Sequence, residues 1–178
     1  MKKFSHLLSF FILCSCVTYA SPRTVDFVDV NRYMGTWYEI ASIPQFFSKG
    51  CFCSRAHYSL QKNGEVGVYN SCNKESIEGD LSDVNGKARV TDSKTNSKLK
   101  VSFFWPFSGD YWIVGLDKDY RYAVISNKKA SSLWILSRTP KLASSDLQAA
   151  LKIAQENKIP VQKLTYTTQE GCRYPEEN

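Results

Sequence analysis

Two histidines, His6 and His57, and two methionines are all that 178 residues contain. There is no nucleophile motif, no glycine-rich phosphate loop and no cluster of His, Cys and Asp at metal-ligand spacing. His6 lies in a leader-like stretch, which leaves His57 alone on a strand, where an exposed or hydrogen-bonded structural role is expected. No metal, cofactor or catalytic residue is expected. The chain also lacks a basic run: its Lys and Arg are scattered, and without Lys2 and Lys3 the formal charge falls from +6 to +4. Nucleic acid is thereby excluded as a partner, and the charges read as a solvated surface with at most a mild attraction to an anionic membrane. Beyond residue 20 nothing approaches the roughly 18 consecutive apolar residues that a membrane span requires.

What is present begins with a leader. Lys2 and Lys3 precede an apolar stretch from Phe4 to Val17, and small residues follow, the layout of a secretory signal peptide over residues 1–20. Thr18-Tyr19-Ala20 before Ser21 offers a cleavage site. Leu13-Cys14-Ser15-Cys16 offers a second reading, a lipobox that would leave a lipid-bearing Cys16 as the new N-terminus. Cleavage after Ala20 leaves Cys51, Cys53, Cys72 and Cys172, an even number in an oxidising compartment, and two disulfides are expected.

Residues 21–178 read as one domain. The hydrophobic content is 43% and the aromatic content 13%, and short Val/Ile/Tyr/Phe/Trp runs broken by Gly, Asn and Asp favour an all-β architecture. Strands are expected over 36–42, 53–60, 65–72, 77–91 with a bulge near 83–86, 98–104, 110–116, 120–126 and 133–138. Asn63-Gly64 marks the second-to-third hairpin, and Leu99, Val101 and Phe103 alternating with Lys98, Lys100 and Ser102 give the clearest period of two. Ser144 or Ser145 is expected to cap a helix through about Asn157, with Leu147, Ala150, Leu151 and Ala154 on one side, before a short ninth strand within 161–167. The fold class is an eight-stranded up-and-down antiparallel β-barrel with one C-terminal α-helix, wide enough for a small ligand.

Gly35-Thr36-Trp37-Tyr38-Glu39-Ile40-Ala41, Asp119-Tyr120 and Leu133-Trp134-Ile135-Leu136-Ser137-Arg138-Thr139-Pro140 stand at the first, seventh and eighth strands. Together they resemble the three motifs of the lipocalin family, closest to its bacterial lipocalin and apolipoprotein D branch, over nearly all of the chain beyond the leader. The resemblance implies a lipid or other small apolar ligand. Strand directions put Gly35, Trp37, Asp119, Tyr120 and Arg138 at one end, where Arg138 can stack on Trp37 and close the barrel floor. The opposite, open end carries an aromatic rim: Phe46 and Phe47 in the first loop, Trp105 and Phe107 in the fifth.

Strand parity gives the candidate ligand-binding residues. They are Glu39, with Ala41 above it, Tyr58, Asn70, Val101, Phe103, Trp112, Tyr122 and Trp134, with Leu99 on the same face as Val101. A shift of one residue would turn any of them outward. Cys51 begins the second strand and Cys72 ends the third, so the two can cross-link. Cys53 would then take Cys172, an arrangement similar to apolipoprotein D, although four cysteines allow three connectivities. Some lipocalins are catalytic through a cavity thiol, but each cysteine here has a disulfide partner available, and no enzymatic activity is expected.

The function read from the sequence is an exported lipocalin, periplasmic, held at the outer membrane or secreted. It would bind, store or carry a fatty acid, lysophospholipid or related amphiphile, in connection with cell-envelope lipids. A structural envelope protein with a filled barrel, or a carrier of haem, retinoid or carotenoid, are the alternatives. Contact with a membrane surface and pairing of two copies as a homodimer are left open by the residues.

Overall fold

The computed structural model describes residues 21–174; the leader, Cys16 and its lipidation fall outside the described residues. Eight strands form the wall: β1 (Gly35–Ser42), β2 (Cys51–Leu60), β3 (Val66–Lys74), β4 (Leu81–Val90), β5 (Lys98–Ser102), β6 (Gly109–Leu116), β7 (Tyr122–Ser126) and β8 (Leu133–Ser137). Each pairs antiparallel with the next, and β1 pairs with both β8 and β2, which closes the barrel. A short helix α1 (Val30–Tyr33) precedes β1, and α2 (Ser144–Glu156) and a two-residue strand β9 (Thr165–Tyr166) follow β8.

The local reasons are visible. Gly64 at φ +81° makes the turn between β2 and β3, where Gln61 N donates to Glu65 O at 2.8 Å. On β5, Leu99 and Val101 pack inside, while Lys98 lies 4.8 Å over the outward Trp112 ring and Lys100 pairs with Asp110 at 2.7 Å. The helix α2 carries Ala150 and Ala154 fully buried against β6 and β7, small side chains that let it lie close to the sheet. At Gly115 on β6 an added Cβ would stand 2.9 Å from Ile153 of that helix.

Several expectations need correction. β4 begins at Leu81 and keeps an unbroken register against β3 through 83–86, so the bulge expected there is absent. Register shifts occur instead on β1 between Glu39 and Ala41, on β2 between Phe52 and Arg55, and on β6 between Ile113 and Gly115. Neither Ser144 nor Ser145 caps α2: Ala143 occupies the cap position without a side-chain bond, and Asp146 in the first turn pairs with Arg121 at 2.6 Å. Tyr120, at φ +61°, belongs to the turn before β7 and not to the strand. Residues 161–163 form a 3-10 turn, which leaves β9 only two residues.

Two apolar clusters result. One fills the closed half of the barrel around Trp37, Tyr58, Val66, Val68, Leu99 and Ile113; the other lies outside the barrel, between α2 and the outer faces of β6, β7 and β8. The segment before β1 crosses the closed end. Val25 N donates to Ile113 O at 3.0 Å, Val28 N to Thr95 O at 2.8 Å, and Asp29 caps α1 by accepting from Asn31 and Arg32.

Candidate ligand-binding site

The floor is built from backbone outward. Gly35 takes φ +89°, and a Cβ there would stand 3.4 Å from Arg138 Nη1. That open space lets Arg138 lie 3.9 Å over the Trp37 ring while donating to Thr36 O at 3.0 Å and Arg32 O at 2.6 Å. Trp37 Nε1 donates to Tyr33 O at 2.9 Å, and the Tyr120 hydroxyl accepts from Asp29 N at 2.8 Å. Asp119 is exposed at the same end and contributes its backbone N–H to Asp117 Oδ2 at 3.0 Å. The acid that holds this turn is Asp117, which also accepts from the Arg121 guanidinium at 2.9 and 3.1 Å; sequence reading passed it over.

Above the floor three tyrosines meet. Tyr33 from α1 and Tyr58 from β2 each bond the Tyr111 hydroxyl, at 2.8 and 3.1 Å. Burial raises the pKa of Tyr58 to about 12 and holds Tyr33 and Tyr111 well above the ordinary phenol value, so all three stay protonated donors. Around them the closed half is nearly full, leaving an apolar crevice of ≈ 20 Å³ lined by residues such as Val28, Met34, Val66, Val68 and Leu99.

The inner face changes character toward the mouth. In the closed half Tyr58, Val66, Val68, Ala88, Leu99 and Ile113 are buried. Further up, Glu39, Asn70, Val84, Val101, Phe103 and Trp134 point inward yet keep part of their surface exposed. Inward residues with residual exposure line an open cup whose walls are apolar apart from Glu39, Ser42 and Asn70, with Ser82 and Lys74 on the same face toward the mouth. Phe103 lies across Gly86, where a Cβ would stand 2.6 Å from its ring. Asn70 shares a row with Ala56 and Val84, and its buried Oδ1 has no hydrogen-bond partner.

Glu39 stands opposite Leu136 just below the β1 bulge. One carboxylate oxygen accepts from Thr167 Oγ1 at 2.6 Å and Ser42 Oγ at 3.1 Å. Burial raises its pKa, and these two hydrogen bonds oppose the rise. Thr167 belongs to a tail that runs where β1 and β2 part company. Thr167 N donates to Ile40 O, Cys53 N to Thr168 O, and Gln169 Nε2 bridges Glu39 O and Ser54 O at 2.8 Å each. The Cys53–Cys172 disulfide pins this tail, and a second, Cys51–Cys72, joins β2 to β3.

Three expected positions are corrected. Trp112 and Tyr122 face outward and pack under α2, in the outer cluster. Ala41 joins that cluster too, because the bulge above Glu39 shifts the alternation of β1 by one residue, so that Ser42, opposite Trp134, points in. Tyr33 and Tyr111 were missed. A usable signal existed: Tyr111-Trp112-Ile113-Val114 and Tyr122-Ala123-Val124-Ile125 are continuous apolar runs, which mark strands covered on both faces. His57 is on the outer face, its Nδ1 2.9 Å from Thr36 Oγ1.

At the mouth the loop aromatics stand free: Phe46 is 93% and Trp105 92% exposed, with Phe47, Phe104 and Phe107 also exposed.

A lipocalin-like domain model matches residues 28–169. This chain belongs to the lipocalin family. Lipocalins are generally binders of small hydrophobic ligands. The chain is 37% identical to outer membrane lipoprotein Blc of Escherichia coli K12 over 164 residues, covering 90% of this chain and 92% of that protein. It is 35% identical to apolipoprotein D of Macaca fascicularis over 160 residues, 85% of this chain and 82% of the relative. Among solved structures, insecticyanin from the tobacco hornworm Manduca sexta superimposes with a TM-score of 0.68 at 20% identity, covering 87% of this chain and 88% of that one. Lobster apocrustacyanin A1 gives 0.65 at 18%, covering 88% and 94%. At those identities the structural likeness speaks for the fold alone.

Proposed function

We propose that this lipocalin is exported, to the periplasm, the outer membrane or the exterior, and takes up a single-chain amphiphile, a fatty acid or lysophospholipid, into the open half of its barrel. The observation that carries this reading is the gradient along the inner face: packed below the three tyrosines, partly exposed and apolar above them. Binding would be driven by desolvation of an acyl chain in a largely preformed cup, about 0.8 kcal/mol for each buried methylene, with no bond made or broken. The leader-like residues 1–20, the two disulfides and relatives named outer membrane lipoprotein support export, and the relatives' names favour Cys16 as a lipid-bearing residue. No helix among the described residues is long and apolar enough to cross a membrane.

The exposed Phe46, Phe47, Phe104, Trp105 and Phe107 would rest on the bilayer surface and lead the chain into the cup. Replacing Phe46 and Trp105 with Ser is expected to slow uptake of a fluorescent fatty acid from vesicles by about tenfold or more while leaving affinity for dissolved ligand unchanged. Unchanged uptake would remove the rim from the reading. Extraction of the protein purified from its own source, with mass spectrometry of what it releases, tests the ligand class directly.

A further inference from the structure

The polar groups of the cup are few enough to count, and their inventory is lopsided. Each tyrosine hydroxyl has one proton, and two bonds join Tyr33, Tyr111 and Tyr58, so one of the three protons has no acceptor among the described residues. Higher on the wall Asn70 Oδ1 is an acceptor without a donor. A buried polar atom left in this state costs about 1–3 kcal/mol, a cost that a bound partner would recover. Charge is lopsided too. By strand register one cation among the described strand residues shares the face of Asn70, Lys74 at the mouth end of β3, where it donates to Lys49 O and lies against Cys51 Sγ at 3.4 Å each; deeper in the cup there is none, and Arg138 is committed at the floor to Trp37 and two carbonyls. The carboxylate that faces the cup's depth is Glu39, close enough for its charge to act on Tyr58.

We infer that the cup selects an uncharged amphiphile carrying a hydroxyl, which donates to Asn70 Oδ1 while an oxygen of the ligand accepts the spare tyrosine proton, and that Glu39 keeps ionised head groups out of its depth. An alcohol satisfies both orphaned groups. An ionised carboxylate at that depth satisfies the tyrosine proton alone, leaves Asn70 Oδ1 unpaired, and faces the Glu39 charge with Lys74 far above it at the mouth. Fatty acids and lysophospholipids, which this inference inherits from the carrier reading, are then held tail-first with their charge at the mouth, and a neutral hydroxyl-bearing lipid of equal chain length binds more tightly.

The test uses the disulfide-intact protein at pH 8 and three probes of matched length: 1-dodecanol, dodecanoate and dodecyl methyl ether. Dodecanol is expected to bind about tenfold more tightly than either of the others. Asn70→Leu should cost dodecanol about tenfold and leave the ether within twofold. Glu39→Gln, which keeps the acceptor for Ser42 and Thr167, should strengthen dodecanoate and not the ether. Equal affinity for alcohol and ether, or a dodecanoate affinity indifferent to Glu39→Gln, overturns the inference while leaving the carrier reading intact. If none of the three binds, the carrier reading itself fails. Should Asn70→Leu not fold, the three-probe comparison and the Glu39 variant decide the matter without it.

Discussion

Glu39 shows how one side chain ties stability to the proposed function. Its carboxyl is raised by burial, with Thr167 and Ser42 pulling the other way. A folded pKa above the unfolded value means that the folded protein holds the proton more tightly. The contribution to stability is therefore complete below the unfolded carboxylate pKa and is lost as pH rises through the folded one. Glu39→Gln is accordingly expected to melt higher than the parent at pH 8, with the difference shrinking toward pH 4; each kcal/mol corresponds to about 2–4 °C in a chain this size. Melting curves at pH 4, 6 and 8 check it, and a difference that grows toward acid would reverse the assignment. Arg138 works on geometry. Two carbonyls 102 and 106 residues away in sequence and one indole face converge on a planar fork. Arg138→Lys is expected to lose about 2–3 kcal/mol in urea unfolding, because an ammonium cannot stack and reach both oxygens.

At the scale of elements, the strands and the helix were legible because their signals are local. Alternation on β5, Asn63-Gly64 in the hairpin and Pro160 after α2 each act within a few residues. What was not legible depends on the partner strand. A bulge inserts one residue against a neighbour, and nothing in Glu39-Ile40-Ala41 reveals it, so the expected inner face of β1 ended on Ala41 where the barrel uses Ser42. Strand parity within each strand points Trp112 and Tyr122 inward, yet the apolar face of α2 requires a matching outer surface on β6 and β7, and both side chains supply it. Gly115→Ala probes that contact: a Cβ 2.9 Å from Ile153 should push the helix and cost about 1–3 kcal/mol, read by thermal unfolding. The tail across the β1–β2 opening is held by backbone bonds and one disulfide. Replacing both Cys53 and Cys172 with Ser is expected to cost about 2–4 kcal/mol and to speed exchange of the backbone amides of residues 53 and 167 ahead of the rest of the wall. Protection that stays uniform would show that the hydrogen bonds alone hold the tail.

The whole molecule divides into a packed half and a wet half, and its four tryptophans sample the division. Trp37 is fully buried at the floor, Trp112 lies under α2, Trp105 stands in the rim and Trp134 faces the cup. A ligand that fills the cup should shift emission to the blue through Trp134. Trp134→Phe is expected to abolish most of that shift in a titration, and Trp112→Phe to preserve it; the opposite pattern would place the ligand between helix and sheet.

The tail also sets an order of events. β1 and β2 pair only over Gly35–Tyr38 and Arg55–Tyr58, and above that the seam is sealed by residues 165–172. The first two strands of the wall must therefore wait for residues 165–172, 119 positions beyond Cys53 at the disulfide, before the cup beside Glu39 has a complete side. Closure is a long-range event, slow by nature, and an unfinished chain would present the parted edges of β1 and β2 to whatever meets it first.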